Sequence, residues 1–130
     1  MSASGELVLP SGKPSRLLLV DDEPHQLELR AYVMQLQGYS VNAVSDPRLA
    51  AVTMAAQQTD LAILDYDMPF INGCDLASQL KRVRPALKII LHSGLVEVPK
   101  DDAGPIDAFV SKGEGLASLL AQISELLQEQ

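Results

Sequence analysis

Leu61-Ala62-Ile63-Leu64-Asp65-Tyr66-Asp67 passes in one step from an unbroken aliphatic run to a pair of acids. Four apolar residues without polar alternation suit a strand covered on both faces, as in parallel sheets. The same transition occurs upstream, where Leu17-Leu18-Leu19-Val20 is followed by Asp21 and Asp22. Downstream, the strand-like run of residues 87–92 stops at Ser93, and that of residues 106–110 is closely followed by Lys112. Acids, a hydroxyl and an ammonium therefore stand where buried strands end. In an open parallel sheet those carboxyl ends share one edge, and ligands bind there. Residues spread over about 90 positions of sequence would then meet in one pocket.

Helix-like segments separate these strands. Pro24 suits a first helical turn; Leu29, Val33 and Leu36 follow at helical spacing, and Gly38 ends the segment. Ser40–Val44 reads as a second strand. Asp46-Pro47 reads as a cap and first-turn proline opening a helix through about Gln57. Gly73 precedes a helix with Leu76, Leu80 and Val83 on one face, stopped before Pro85. A helix between Leu95 and Pro105 must be short or distorted, because Pro99, Gly104 and Pro105 interrupt it. The last helix carries Leu116, Leu120, Ile123 and Leu127. Five βα units predict an α/β, doubly wound, five-stranded parallel sheet in the order 2-1-3-4-5, with helices on both faces.

The 130 residues suit one domain: residues 1–15, rich in Ser, Gly and Pro, read as a flexible leader or linker, and residues 16–130 as the domain proper. The chain is 47% hydrophobic but only 4% aromatic, so the core must be aliphatic. Seventeen acids against ten Lys plus Arg give a net charge of -7, which argues against direct nucleic-acid binding. Cys74 is the only cysteine, so no internal disulfide forms and no Cys-rich metal site exists. A reduced, cytoplasmic setting fits. No signal peptide is legible, and no apolar stretch approaches the ~18–20 residues that span a bilayer, so no membrane partner is expected.

In the predicted order, the crevice opens beside Asp21, Asp22 and Asp65. Three carboxylates brought together repel one another, and a divalent cation relieves that repulsion. Oxygen-only ligands suit a hard ion, Mg2+ above all. Metal, the Lys112 ammonium and the Ser93 hydroxyl together would bind the oxygens of a transferring phosphoryl group, and one carboxylate would act as nucleophile.

At this point the sequence resembles the receiver domain of two-component response regulators, with its flavodoxin-like fold, over about residues 16–129. The resemblance rests on Val20-Asp21-Asp22-Glu23-Pro24, on Leu64-Asp65-Tyr66-Asp67-Met68-Pro69 with Gly73, and on Ser93, Phe109 and Lys112. It implies that Asp65 is the phosphoacceptor and that Asp22 ligates Mg2+ directly, with Asp21 acting through metal-bound water. The Asp67 backbone carbonyl would complete the protein ligands. Lys112 and Ser93 would contact the phosphoryl group, and Phe109 would be the coupled switch aromatic. The implied donor is a sensor histidine kinase or phosphotransfer protein, and the output a downstream protein that recognises the changed surface. Such a domain catalyses its own phosphorylation and dephosphorylation but is a switch, not a turnover enzyme. A phosphorylation-dependent homodimer through the last helix is a further expectation.

The sequence departs from the family pattern at three points. Ser93 replaces the commoner Thr, and Gly94 replaces a small Ala, which opens the approach to the phosphoryl group. Gly113 follows Lys112 where Pro, with a cis bond, is usual; without proline a cis bond costs ~2.5–4 kcal/mol, so a trans or rearranged loop is expected. The Gly113 change and the irregular segment between Leu95 and Pro105 are the basis of an alternative, a phosphorylation-independent protein-binding module. A third reading, a hydrolase using Asp65-Tyr66-Asp67, lacks the length for a substrate cap. His25 reads as an exposed helix residue and His92 as an ordinary strand-end residue.

Overall fold

The computed structural model describes residues 13–95, 97 and 104–128. Its strands are β1 (Arg16–Val20), β2 (Ser40–Val44), β3 (Leu61–Leu64), β4 (Lys88–Ser93) and β5 (Ala108–Ser111). All neighbours pair in parallel, in the order β2-β1-β3-β4-β5. The described helices are α1 (Pro24–Leu36), α2 (Ala50–Gln57), α3 (Gly73–Val83) and α4 (Leu116–Gln128). Most of the expected leader, and most of the segment in which an irregular helix was expected before β5, lie outside the described residues.

Side-chain alternation along the strands divides the core into two layers. Leu18, Val20, Ala62, Leu64, Ile89 and Leu91 pack with residues of α2 and α3. Leu17, Leu19, Leu61, Ile63, Ile90 and Val110 pack with residues of α1 and α4. Both faces are covered, which is why β1 and β3 read as unbroken aliphatic runs. Val20 pairs with Leu64, and Leu64 with Leu91, so Asp21 and Asp65 leave adjacent central strands at the same level.

The helix faces differ from the sequence reading. On α1 the inward residues are Leu27, Arg30, Ala31 and Met34, whereas Leu29 and Leu36 are exposed. Two apolar sets on this helix both have helical spacing, and the sheet takes the one that contains an arginine. Val83, the last residue of α3, is likewise exposed, while Leu76 and Leu80 are buried. On α4 the fully inward stripe is Leu119, Ile123 and Leu126; Leu116, Leu120 and Leu127 flank it. The segment after Asp46 starts as a 3-10 turn, Pro47–Leu49, before α2 takes over.

Strand limits also shift. Leu87 closes a turn by donating its amide to Arg84, so β4 begins one residue later. The Ile106 amide bonds to the Gly104 carbonyl, and β5 begins at Ala108. Gly38 ends α1 as expected. With φ of 97° it adopts a left-handed conformation, its amide bonds Gln35, and the Tyr39 amide reaches back to Met34.

Candidate functional site

The carboxyl edge of the sheet brings one carboxylate oxygen from each of Asp21, Asp22 and Asp65 to within 4.8 Å of the others. Asp21 and Asp65 are 1% and 8% exposed, so two of the three acids are withdrawn from water, while Asp22 faces solvent. The Asp21 Oδ1 accepts the Glu23 amide at 2.9 Å. Its Oδ2 accepts from Arg30 Nη1 at 2.5 Å and from Lys112 Nζ at 3.1 Å. The Asp65 Oδ1 accepts the Tyr66 amide at 2.9 Å and lies 3.4 Å from Lys112 Nζ. Lys112 thus bridges the ends of β1 and β3 although 91 residues separate it from Asp21.

Gly73 explains how α3 approaches this edge. A Cβ at Gly73 would overlap the Asp65 carbonyl oxygen and stand 2.6 Å from Leu91 Cδ1. Its amide donates to the Tyr66 carbonyl at 2.9 Å. The missing side chain therefore lets the first turn of α3 seat directly on the backbone of Asp65.

Electrostatics separates the two buried acids. Burial pushes Asp21 upward, but the Glu23 amide, Arg30 and Lys112 outweigh it and hold the carboxyl below its ordinary pKa. Burial, aided by the neighbouring Asp21 charge, raises Asp65 despite the opposing pull of Lys112. A carboxylate that is costly to keep bare gains most from a cation or a covalent partner. The site is made wholly of hard oxygen donors at this cluster, with an exposed side at Asp22. That donor set fits Mg2+ retaining part of its water shell.

The other expected residues sit as follows. Ser93 is buried at the end of β4, where its Oγ accepts the Leu95 amide at 3.2 Å. Phe109 is half-buried against the α2–α3 side of the core, as are Tyr66 and Met68. Asp67 is exposed, and its carboxylate is outside the three-acid cluster. A Cβ at Gly94 would meet open space, in keeping with an open approach. No cis peptide bond occurs among the described residues, so Lys112-Gly113 is trans. It forms part of a 3-10 turn, Lys112–Glu114, closed by reciprocal Ser111 and Glu114 capping bonds. His25 is exposed.

Arg30 is a residue at the site that the sequence reading missed, and His92, read as a strand-end residue, lies at the end of β4 but buried beside the site. Arg30 is 8% exposed and engages Asp21 from α1. The only sequence signal is its place between Leu27 and Met34, in a stripe of helical spacing. His92 is buried, and its Nδ1 finds no hydrogen-bond partner among the described residues. Burial, with Arg30 and Lys112 nearby, lowers its pKa to about 4, so the ring is neutral at physiological pH.

Residues 17–124 match the model of the response regulator receiver domain, and the chain belongs to that family. Among curated relatives, it is 26% identical over 120 residues to the probable transcriptional regulatory protein TcrX of Mycobacterium tuberculosis, covering 90% of this chain and 51% of TcrX. The chain spans about half or less of the length of the curated relatives it matches. Among solved structures, the response regulator TrrA of Thermotoga maritima with Mg2+-BeF has a TM-score of 0.80 at 29% identity, over 86% of this chain and 98% of that one. TrrA in complex with the histidine kinase ThkA gives a TM-score of 0.78 at 29% identity, over 87% and 98%. Among the described residues no helix is long and apolar enough to cross a membrane.

Proposed function

We propose that this receiver accepts a phosphoryl group on Asp65 and signals by a change of surface. The observation that carries the reading is the convergence of Asp21, Asp22 and Asp65, with Lys112 bridging two of them, at the carboxyl edge of the sheet. The donor is a phosphohistidine of a sensor kinase or phosphotransfer protein; the kinase complex of TrrA supports that partner. An Asp65 carboxylate oxygen attacks phosphorus, a P–O bond forms, and the P–N bond breaks as the imidazole leaves with the bond's electron pair and takes up a proton. Attack by water on the acyl phosphate later releases inorganic phosphate and restores the carboxylate.

Asp21, Asp22 and Asp65, with the backbone carbonyl of Asp67, would hold Mg2+. The bound ion would supply charge neutralisation for the incoming phosphoryl oxygens. TrrA was solved with Mg2+-BeF, which supports this cofactor. Lys112 adds a second positive charge next to Asp65. Ser93 would exchange its contact with the Leu95 amide for one with the phosphoryl group, and Phe109 would change rotamer with it. Residues 1–15 serve as leader or linker to the domain of residues 16–130, in a cytoplasmic setting. The output is a downstream protein or a homodimer formed through α4.

Thermal unfolding with Mg2+ and beryllofluoride, a phosphoryl mimic, tests the assignment. Because a ligand that binds only the folded state stabilises it, the account predicts a Tm several degrees higher for the wild type. Asp65→Asn should show no such rise. An unshifted wild type, or an equal shift in both proteins, contradicts it.

A further inference from the structure

Arg30 stands out once the metal site is set aside. It is a buried cation on the inward face of α1, and an arginine cannot shed its charge to suit its surroundings. Its Nη1 holds Asp21 Oδ2 at 2.5 Å, and its Nη2 is held by Gln26 Oε1 at 2.6 Å. Three carboxylates against Arg30 and Lys112 leave a formal charge of one negative at the cluster. Without Arg30 the charge would be two negative. A cavity of about 340 Å³ lies beside the guanidinium, lined in part by Gln26, Arg30, His92 and Lys112.

We propose that Arg30 is a resident counter-cation of the carboxylate cluster, a positioning residue that occupies Asp21 in the metal-free state and weakens divalent-ion binding. An incoming ion competes with the guanidinium for Asp21 and is repelled by its charge. As the ion enters, Arg30 withdraws towards the adjoining cavity, still tethered through Gln26. The inference rests on the metal site proposed above and adds the reason that site need not stay filled. With Arg30 and Lys112 in place the buried Asp21 keeps cationic partners in the absence of the ion, which limits the cost of leaving the site empty.

The test is calorimetric titration of the unphosphorylated full chain with Mg2+, comparing wild type with Arg30→Met, which keeps an unbranched apolar stem but removes the charged guanidinium. The inference predicts a Kd for Arg30→Met roughly tenfold lower than wild type, from the loss of one like charge next to the ion. A merely structural arginine gives the opposite sign, since loosening Asp21 would weaken the site. An equal or higher Kd in the variant overturns the inference while leaving the metal site standing. Absence of Mg2+ binding in both proteins overturns both. If Arg30→Met does not fold, the wild type alone decides. The nitrogen-15 side-chain signals of Arg30 should move on saturation with Mg2+, and signals that stay fixed throughout the titration contradict the proposal.

Discussion

Asp65, Gly73 and His92 each hold a place that the neighbouring atoms make demanding. Asp65 has its pKa raised by burial and by the Asp21 charge, so folding disfavours its ionised form. At neutral pH in Mg2+-free buffer that charge opposes folding. Asp65→Asn should therefore raise stability, by about 1 kcal/mol, in chemical denaturation. Gly73→Ala should lower it by at least about 1–3 kcal/mol, because the new methyl overlaps the Asp65 carbonyl oxygen and crowds Leu91. Denaturation of Gly73→Ala at unchanged stability would show that α3 moves aside freely. His92 carries a pH signature. Its pKa is about 4 when folded, against an ordinary 6.5, so between those values the unfolded chain binds the extra proton. Stability is then lost as pH falls from 6.5 towards 4, by up to about 3 kcal/mol from this residue. Urea midpoints of wild type and His92→Leu at pH 7 and pH 5 check this: the wild type should lose distinctly more.

At the scale of elements, the strands were more legible than the helix faces. The carboxyl ends of β1 and β3 read directly, because a strand covered on both faces admits only apolar residues there and stops where acids begin. By contrast β2, a half-buried edge strand with Ser40 and Asn42, was also placed at its observed bounds. On α1, Leu29, Val33 and Leu36 satisfy helical spacing as well as Leu27, Ala31 and Met34 do, and periodicity alone cannot choose. Arg30 made the true face look polar. In the observed rotation Arg30 pairs with the buried Asp21 while Leu27, Ala31 and Met34 join the core. The rotation predicts that Met34→Ala costs about 2–5 kcal/mol, as for other buried Met, while Leu36→Ala costs under about 1 kcal/mol. Equal losses would place both residues in the core and contradict the orientation. The start of β5 was misread because Ile106 and Asp107, though bonded to Gly104 and Ile89, precede the parallel ladder.

For the molecule as a whole, the order of the strands does what no single element does. It sets Asp21 and Asp65 side by side and delivers Lys112 to both from the far end of the chain. That convergence was legible, because the chemistry of each strand end is written in the residues that follow it. Arg30 was not, since it approaches the site from within a helix, where sequence patterns mark only apolar positions as inward; His92 was placed at its strand end, but its burial beside the site was not legible.

The central claim is that this convergence makes Asp65 a phosphoacceptor, and intact-protein mass after treatment with acetyl phosphate and Mg2+ tests it most directly. The account predicts a gain of about 80 Da, one HPO3 unit, on the wild type and none on Asp65→Asn. An unmodified wild type, beside a control receiver labelled in the same tube, or an equal gain on both proteins, would contradict it.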